Sequence, residues 1–144
     1  MAHLTVEHMK KLTPIRPNLL VLFNHTLTDD QIEDARLTLA VGKILEPPAA
    51  IVWSWAQIPA NLERLADYLG PIRDWLTLTA SSGDYVLVQG DYGATYLMAM
   101  FALEKGYIPI YSTTIRQANE ERLAGGEVRV THDFRHRIFR CYGH

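Results

Sequence analysis

Apolar and polar positions along the chain sort into short continuous runs and longer mixed ones. Leu19-Leu20-Val21-Leu22-Phe23 and Tyr85-Val86-Leu87-Val88-Gln89 have the length and apolar density of strands buried on both faces of a sheet. From Thr95 to Lys105 there is no Pro or Gly. Leu97, Met98, Ala99, Met100, Phe101, Ala102 and Leu103 surround the axis there, which predicts a helix covered on most sides. Gly106 ends it as a C-cap, and Tyr107-Ile108-Pro109-Ile110-Tyr111 resumes a β pattern directly afterwards. Strand, glycine-containing turn, helix and strand in this order form a right-handed parallel crossover. Such units bind ligands outside the carboxyl ends of their strands, which singles out Gln89 to Thr95 and Ser112 to Arg116.

The other elements follow from caps and breakers. Thr28-Asp29-Asp30-Gln31 has the residues of a capping box, with acids where the helix dipole favours them, and predicts a helix from about Asp29 to Val41 ended by Gly42. Ile32, Ala35 and Leu39 give that helix one apolar face. Lys43 to Glu46 reads as a short strand, and Pro47 or Pro48 starts a helix over Ala49 to Gln57. Asn61 is placed to cap a helix through Leu69, with Pro71 to Leu78 continuing it through a kink or beginning another. Beyond Thr114, Ala124-Gly125-Gly126 suits the turn of a hairpin between Arg116–Leu123 and Glu127–Phe134, against a helix over Gln117 to Leu123. Arg137 to Tyr142 alternates and adds a last strand. Met1 to Pro17 has no sustained period and reads as a flexible extension before one domain over residues 18–144.

Composition narrows the function classes. With 144 residues and 48% apolar content, the chain has room for one domain with a core. A net charge of −2 disfavours the broad cationic footprint that long nucleic acid requires, yet leaves a small anionic ligand open. Cys141 has no cysteine partner within the chain, no apolar run approaches the roughly 20 residues of a membrane span, and the N-terminal stretch lacks a hydrophobic signal core. The expected location is the cytoplasm.

Gly90-Asp91-Tyr92-Gly93-Ala94-Thr95 stands where backbone amides at a helix N-terminus hold a phosphate, with glycine allowing close approach and the Thr95 hydroxyl adding a donor. The alternative is a plain strand-to-helix turn capped by Asp91. The order is neither that of a dinucleotide fold nor of a P-loop. Asn24-His25-Thr26, after the first strand, reaches the same sheet edge, so the two polar turns are expected to converge. His25 can donate to a phosphate oxygen or shuttle a proton near neutral pH, or it is a loop histidine that only hydrogen-bonds. Asp91 can accept from a sugar hydroxyl or serve as the cap, and Arg116 can meet an anion just beyond Thr113 and Thr114. His132, His136 and Cys141 match no standard zinc spacing, so no metal and no cofactor is expected.

Together, Phe23-Asn24-His25-Thr26-Leu27-Thr28 with Gln31 and Asp34-Ala35, Asp84 to Thr95 with Gly106, Pro109-Ile110-Tyr111 and Thr113-Thr114, and Phe134, His136, Phe139-Arg140 and Tyr142 resemble the small single-domain CRISPR-associated proteins of type III loci grouped with ring nucleases. The resemblance covers nearly everything after Asn18. It implies an α/β fold, a Rossmann-like three-layer domain akin to the CARF sensors, with a mostly parallel sheet and C-terminal antiparallel strands. It also implies a homodimer and a cyclic oligoadenylate ligand, cyclic tetra-adenylate above all, bound across the two-fold axis. Related enzymes cleave that ring without metal through a ribose 2′-hydroxyl, leaving a 2′,3′-cyclic phosphate and switching off the messenger. On this reading His25, Asp91 and Arg116 are the candidate catalytic groups. Asn24, Thr26, Gln89, Gly90, Tyr92, Gly93, Ala94, Thr95, Thr113 and Thr114 are the candidate ligand-positioning residues. The competing readings are a protein that only sequesters the ring and an interaction subunit for another CRISPR protein.

Overall fold

Two apolar strands, β1 (Leu19–Phe23) and β3 (Tyr85–Gln89), lie side by side and parallel over their whole length, from Leu19↔Tyr85 to Phe23↔Gln89. The structure, a computed structural model, describes residues 15–144, so most of the expected extension lies outside the described residues. Pro17 belongs to the domain, because its carbonyl accepts the Gly42 N–H at 2.8 Å. Around the central pair stand α1 (Asp29–Leu37), β2 (Ile44–Leu45), α2 (Ala49–Ala56), α3 (Gly70–Thr79), α4 (Tyr92–Glu104), β4 (Ile108–Arg122) and β5 (Val128–Cys141). The five strands are ordered β2-β1-β3-β4-β5, with β5 alone antiparallel to its neighbour.

Alternate residues of the central strands feed two cores. Leu19, Val21, Leu87 and Ile110 pack with Leu27, Ala35 and Val41 on the α1 side. Leu20, Leu22, Val86 and Val88 pack with residues of α2, α3 and α4, among them Trp55, Ile72, Leu76 and Met98. Helices on both faces of a mainly parallel sheet make this a Rossmann-like three-layer α/β domain.

The capping box forms: Thr28 Oγ1 accepts from the Gln31 N–H at 3.2 Å, and Gln31 Oε1 accepts from the Thr28 N–H at 2.9 Å. The helix it starts ends at Leu37 rather than Val41, since Ala40 takes the left-handed region at φ 54°. That turn lets the Val41 N–H reach the Ala35 carbonyl at 3.3 Å and aligns the chain for Ile44 to pair with Leu19. The helix predicted over Asn61 to Leu69 is a loop of turns. Apart from Leu65, Tyr68 and Leu69 its residues are exposed, too few for a buried helical stripe. Tyr68 serves instead as an anchor, its hydroxyl donating to the Ser54 carbonyl at 2.6 Å. α4 begins at Tyr92, before Thr95, because Asp91 Oδ2 accepts the Ala94 N–H at 3.0 Å. It closes on Gly106 at φ +78°, with Gly106 N–H bonded to Leu103 O and Tyr107 N–H to Ala102 O, the paired bonds of a Schellman end.

The alternative helix over Gln117 to Leu123 does not form, and the two expected C-terminal strands are one. β4 and β5 pair from Ile110↔Cys141 to Arg122↔Val128, and from Thr114 outward β4 is exposed on both faces. The hairpin is therefore an arm that leaves the sheet at the carboxyl edge of the parallel strands.

Ala40 carries a Cβ into the left-handed region, at a cost of roughly 1–2 kcal/mol. Ala40→Gly is expected to raise stability by about 1 kcal/mol in urea denaturation; an unchanged midpoint would mean that the turn is unstrained.

Candidate functional site

β1 hands the chain on to β2 on one side while β3 lies on the other, so the crevice at the carboxyl ends of β1 and β3 is the topological switch point where open α/β sheets bind ligands. The register Phe23↔Gln89 starts the two predicted turns side by side. They then diverge. Asn24, His25 and Thr26 border a cavity of about 400 Å³ completed by Phe23, Glu46, Pro47, Val52 and Ala56. Tyr92 and Thr95 border a different one, of about 370 Å³, with Tyr96, Ala99, Met100, Leu103 and Tyr142.

In the first cavity the His25 ring meets the Phe23 ring edge-on, with centroids 5.2 Å apart. Burial pushes the Glu46 carboxyl above its ordinary range. Glu46 was not singled out by the sequence, since an acid before two prolines reads as the end of an edge strand.

Gly90 has another explanation than ligand approach. A Cβ there would lie 2.9 Å from Trp55 Nε1, and that indole, 1% exposed, donates to the Gln89 carbonyl at 2.9 Å. The missing side chain is the space that the tryptophan fills. Gly93, in the first turn of α4, has only ordinary contacts at its Cβ position. Tyr92 is 95% exposed and Ala94 is buried beneath it. Tyr92 and Gly93 are the first two residues of the helix, whose amides have no acceptor within it.

Gln89, Ser112, His136 and Asp34 form a hydrogen-bonded line across the sheet. Gln89 Oε1 accepts the Ser112 N–H at 2.8 Å, Ser112 Oγ lies 2.6 Å from His136 Nδ1, and His136 Nε2 lies 2.7 Å from Asp34 Oδ2. With Nε2–H donating to Asp34, Nδ1 is free to accept the Ser112 hydroxyl, the partner order of a nucleophile, base and acid. Access is missing: Ser112 is 7% exposed and receives Gln31 Nε2 at 3.2 Å, and the flanking cavities are lined by His136 rather than Ser112. The line is a latch that ties α1 to the root of the arm. The line that joins Ser112, Gln31 and Asp34 through His136 left no mark in the sequence, because its partners are up to 102 positions apart.

A β-bulge aims the histidine. Between Ser112↔Phe139 and Thr114↔His136 strand β5 carries an extra residue, so His136 and Phe139, three apart, point to the same face with ring centroids 4.5 Å apart. Thr113 Oγ1 fastens the bulge by donating to the Ile138 carbonyl at 3.0 Å and accepting its N–H at 3.1 Å. Thr113 and Gln89 thus serve the fold, whereas Thr114 and Arg116 stand exposed on the arm, Arg116 opposite Phe134. Among the described residues no group of three or more His, Cys, Asp or Glu could hold a metal ion, and no helix is long and apolar enough to cross a membrane.

The family model of the uncharacterized protein MJ1673 family matches residues 17–140. The chain belongs to this family. Uncharacterized protein MJ1673 of Methanocaldococcus jannaschii is 44% identical over 126 residues, which cover 88% of this chain and 97% of that relative. The match ends within β5, so it spans the segments that form the arm. No solved structure matches the chain.

Burial raises the Asp34 carboxyl, but hydrogen bonds from Thr38 and His136 and the charges of His136 and Arg137 outweigh it and hold Asp34 below the ordinary aspartate value. A carboxylate with a depressed folded pKa contributes stability above its unfolded value and loses it as the pH falls through the folded one. Asp34→Asn is therefore expected to cost about 1–2 kcal/mol at neutral pH. The gap to wild type should close as the pH drops below 3.8; a gap that persists in strong acid in chemical denaturation would show that the carboxylate does not hold the latch.

Proposed function

We propose that this protein is a metal-independent ring nuclease that binds cyclic oligoadenylate, cyclic tetra-adenylate above all, and cleaves it to end type III CRISPR signalling in the cytoplasm. The observation that carries the reading is that a cavity bearing Asn24, His25 and Thr26 and the amide-presenting start of α4 follow the ends of two neighbouring parallel strands, Phe23 being in register with Gln89. A helix N-terminus favours the phosphates, and the neighbouring polar turn supplies side-chain donors. In the reaction a ribose 2′-oxygen attacks the adjacent phosphorus, the bond from phosphorus to the 5′-oxygen breaks, and the 2′-proton is removed as the leaving oxygen gains one. The His25 imidazole in this cavity is assigned to move that proton, and Arg116 on the arm is assigned to offer charge to the phosphorane. Asp91, occupied as the cap of α4, acts by holding the amides in place.

Self-association belongs to the same reading, since a ring with two-fold symmetry is matched by two copies. Tyr92, Tyr96, Met100 and Leu103, exposed by 95%, 66%, 43% and 51%, run down one side of α4 from the phosphate turn. Light scattering is expected to give a dimer, and a monomer at working concentration would count against a ligand held across a dyad.

Incubation with labelled cyclic tetra-adenylate is expected to give linear product bearing a 2′,3′-cyclic phosphate, at a rate that a chelator leaves unchanged. His25→Ala should slow single-turnover cleavage by roughly 10 to 1000-fold with little change in affinity. Ring recovered intact from a tight complex would make the protein a messenger-sequestering one, a role that needs the cavity and the turn but no proton transfer. Inhibition by the chelator would overturn the metal-free mechanism.

A further inference from the structure

β4 runs for 15 residues and β5 for 14, yet β4 pairs with β3 only from Tyr85↔Ile108 to Leu87↔Ile110. The rest of its length serves the arm. There the register is unbroken from Thr114↔His136 to Arg122↔Val128, and residues opposite each other in an antiparallel pair share a face, so the content of each face is fixed. One face is polar apart from Ile115, and on it Asn119 Nδ2 donates to Asp133 Oδ2. The other sets Arg116, Glu120 and Arg122 along β4 beside Phe134, Val130 and Val128 along β5, with the Ala118↔His132 pair midway. Phe134, Val130 and Val128 are 69%, 51% and 53% exposed, and among the described residues Arg116, Glu120 and Arg122 have no ion-pair partner. His136, in register with Thr114, turns this second face to the α1 side, where Phe134 and His136 border a cleft with Thr28, Asp29 and Asp30.

We propose that a second copy of the chain packs on this face, the two arms lying face to face and antiparallel about a two-fold axis at the Ala118↔His132 pair. That axis brings Arg116 against Glu120 of the second copy and Phe134 against its Val130, each contact occurring twice, as an isologous interface requires. Charge meets opposite charge and apolar meets apolar under one operation, a match that a face made for water has no need of. At each end the tip of one arm lies over the root of the other. Arg122 there comes to the Thr114↔His136 pair, beside the cleft bordered by the Asp29 and Asp30 carboxyls. These end contacts are required by area: nine register pairs at ~3.4 Å, two strands wide, offer roughly 300 Å² per copy, against about 800 Å² in a stable interface. The surface beside α1 supplies the rest. A two-stranded ribbon is marginal in water, and a second ribbon laid on it as in a sandwich covers its apolar row. A two-fold ligand asks for two copies without saying which surface joins them, so the arm contact goes beyond the ring nuclease reading and does not depend on it.

The test uses the full chain, with mass by sedimentation as the readout and circular dichroism to check the fold. Wild type should be a dimer. Phe134→Glu, at an exposed position, should raise the dimer dissociation constant by roughly 100-fold or more, because the two-fold sets a charge against an apolar row twice. Glu120→Arg should do the same by opposing like charges, and Glu120→Arg combined with Arg116→Glu should restore the dimer, a rescue that a role within one chain would not give. In a Cys141→Ser chain, Ala118→Cys on the contact face should be linked between copies by a short bismaleimide, and Thr131→Cys on the opposite face should not. A monomeric wild type, a Phe134→Glu chain as dimeric as wild type, a double reversal that stays monomeric, linking through Thr131→Cys in place of Ala118→Cys, or a dimer lost only on changing Tyr96 and Met100 of α4 would each overturn the assignment. Should the arm variants dissociate the dimer while wild type fails to bind cyclic tetra-adenylate, the arm contact stands and the ring nuclease reading falls. Should the ring be bound by a dimer that Phe134→Glu leaves intact, that reading stands and the arm contact falls.

Discussion

The parallel pairing of β1 with β3 is the constraint on which the rest depends. Leu19, Leu20 and Leu22 on β1 and Val86, Leu87 and Val88 on β3 are all fully buried, so this pair has no solvent-facing side. Each face must be covered by helices, and a parallel pair can be joined only by crossovers long enough to provide them. The register from Leu19↔Tyr85 to Phe23↔Gln89 also brings both strands to an end at one level. A slip of one residue would invert every side chain between the two cores and separate Asn24 from Gly90. Burial of the pair and alignment of the two turns are one requirement.

The carboxyl edge is held by polar bonds that the apolar layers cannot supply. Trp55 crosses from α2 to the Gln89 carbonyl, Gln89 reaches Ser112 on β4, and Ser112 connects through His136 to Asp34 on α1. Both faces of the sheet are thereby tied to the strand ends beside which the turns begin. An exposed two-stranded hairpin is marginal in water by itself, and here its root is clamped by the bulge, the Thr113 bonds and the His136 line. Rigidity at the root fixes where the arm leaves the sheet, while the arm itself, Thr114 and Arg116 included, stays exposed.

How much was legible in the sequence follows from how local each signal is. The β1 and β3 runs, the Thr28–Gln31 capping box and the Gly106 terminus are set by residues within one element and were readable. The helix expected over Asn61 to Leu69 failed because cap residues and propensity, without an apolar stripe, do not outweigh the anchoring of Tyr68 against the end of α2. The arm was divisible into separate strands because residues 116–135 carry charges on both faces and little apolar alternation. The bulge was invisible, since one extra residue leaves no local mark, and so was the side of the sheet to which His136 turns. Of the candidate site residues, Asn24, His25 and Thr26 share one cavity, Tyr92 and Thr95 border another, and Gln89, Asp91 and Thr113 are engaged in bonds of the fold itself.

Gly90 shows why a glycine turn at a strand end underdetermines function. Approach of a phosphate and approach of an indole both demand a backbone without Cβ, and the sequence pattern is the same for either. Here the indole has taken the space, at 2.9 Å from where the Cβ would be. The amides left for a ligand are therefore those of Tyr92 and Gly93, one turn of chain further on, over which no tryptophan lies. That shifts the anion-attracting end of α4 outward, toward solvent and the exposed Tyr92 ring.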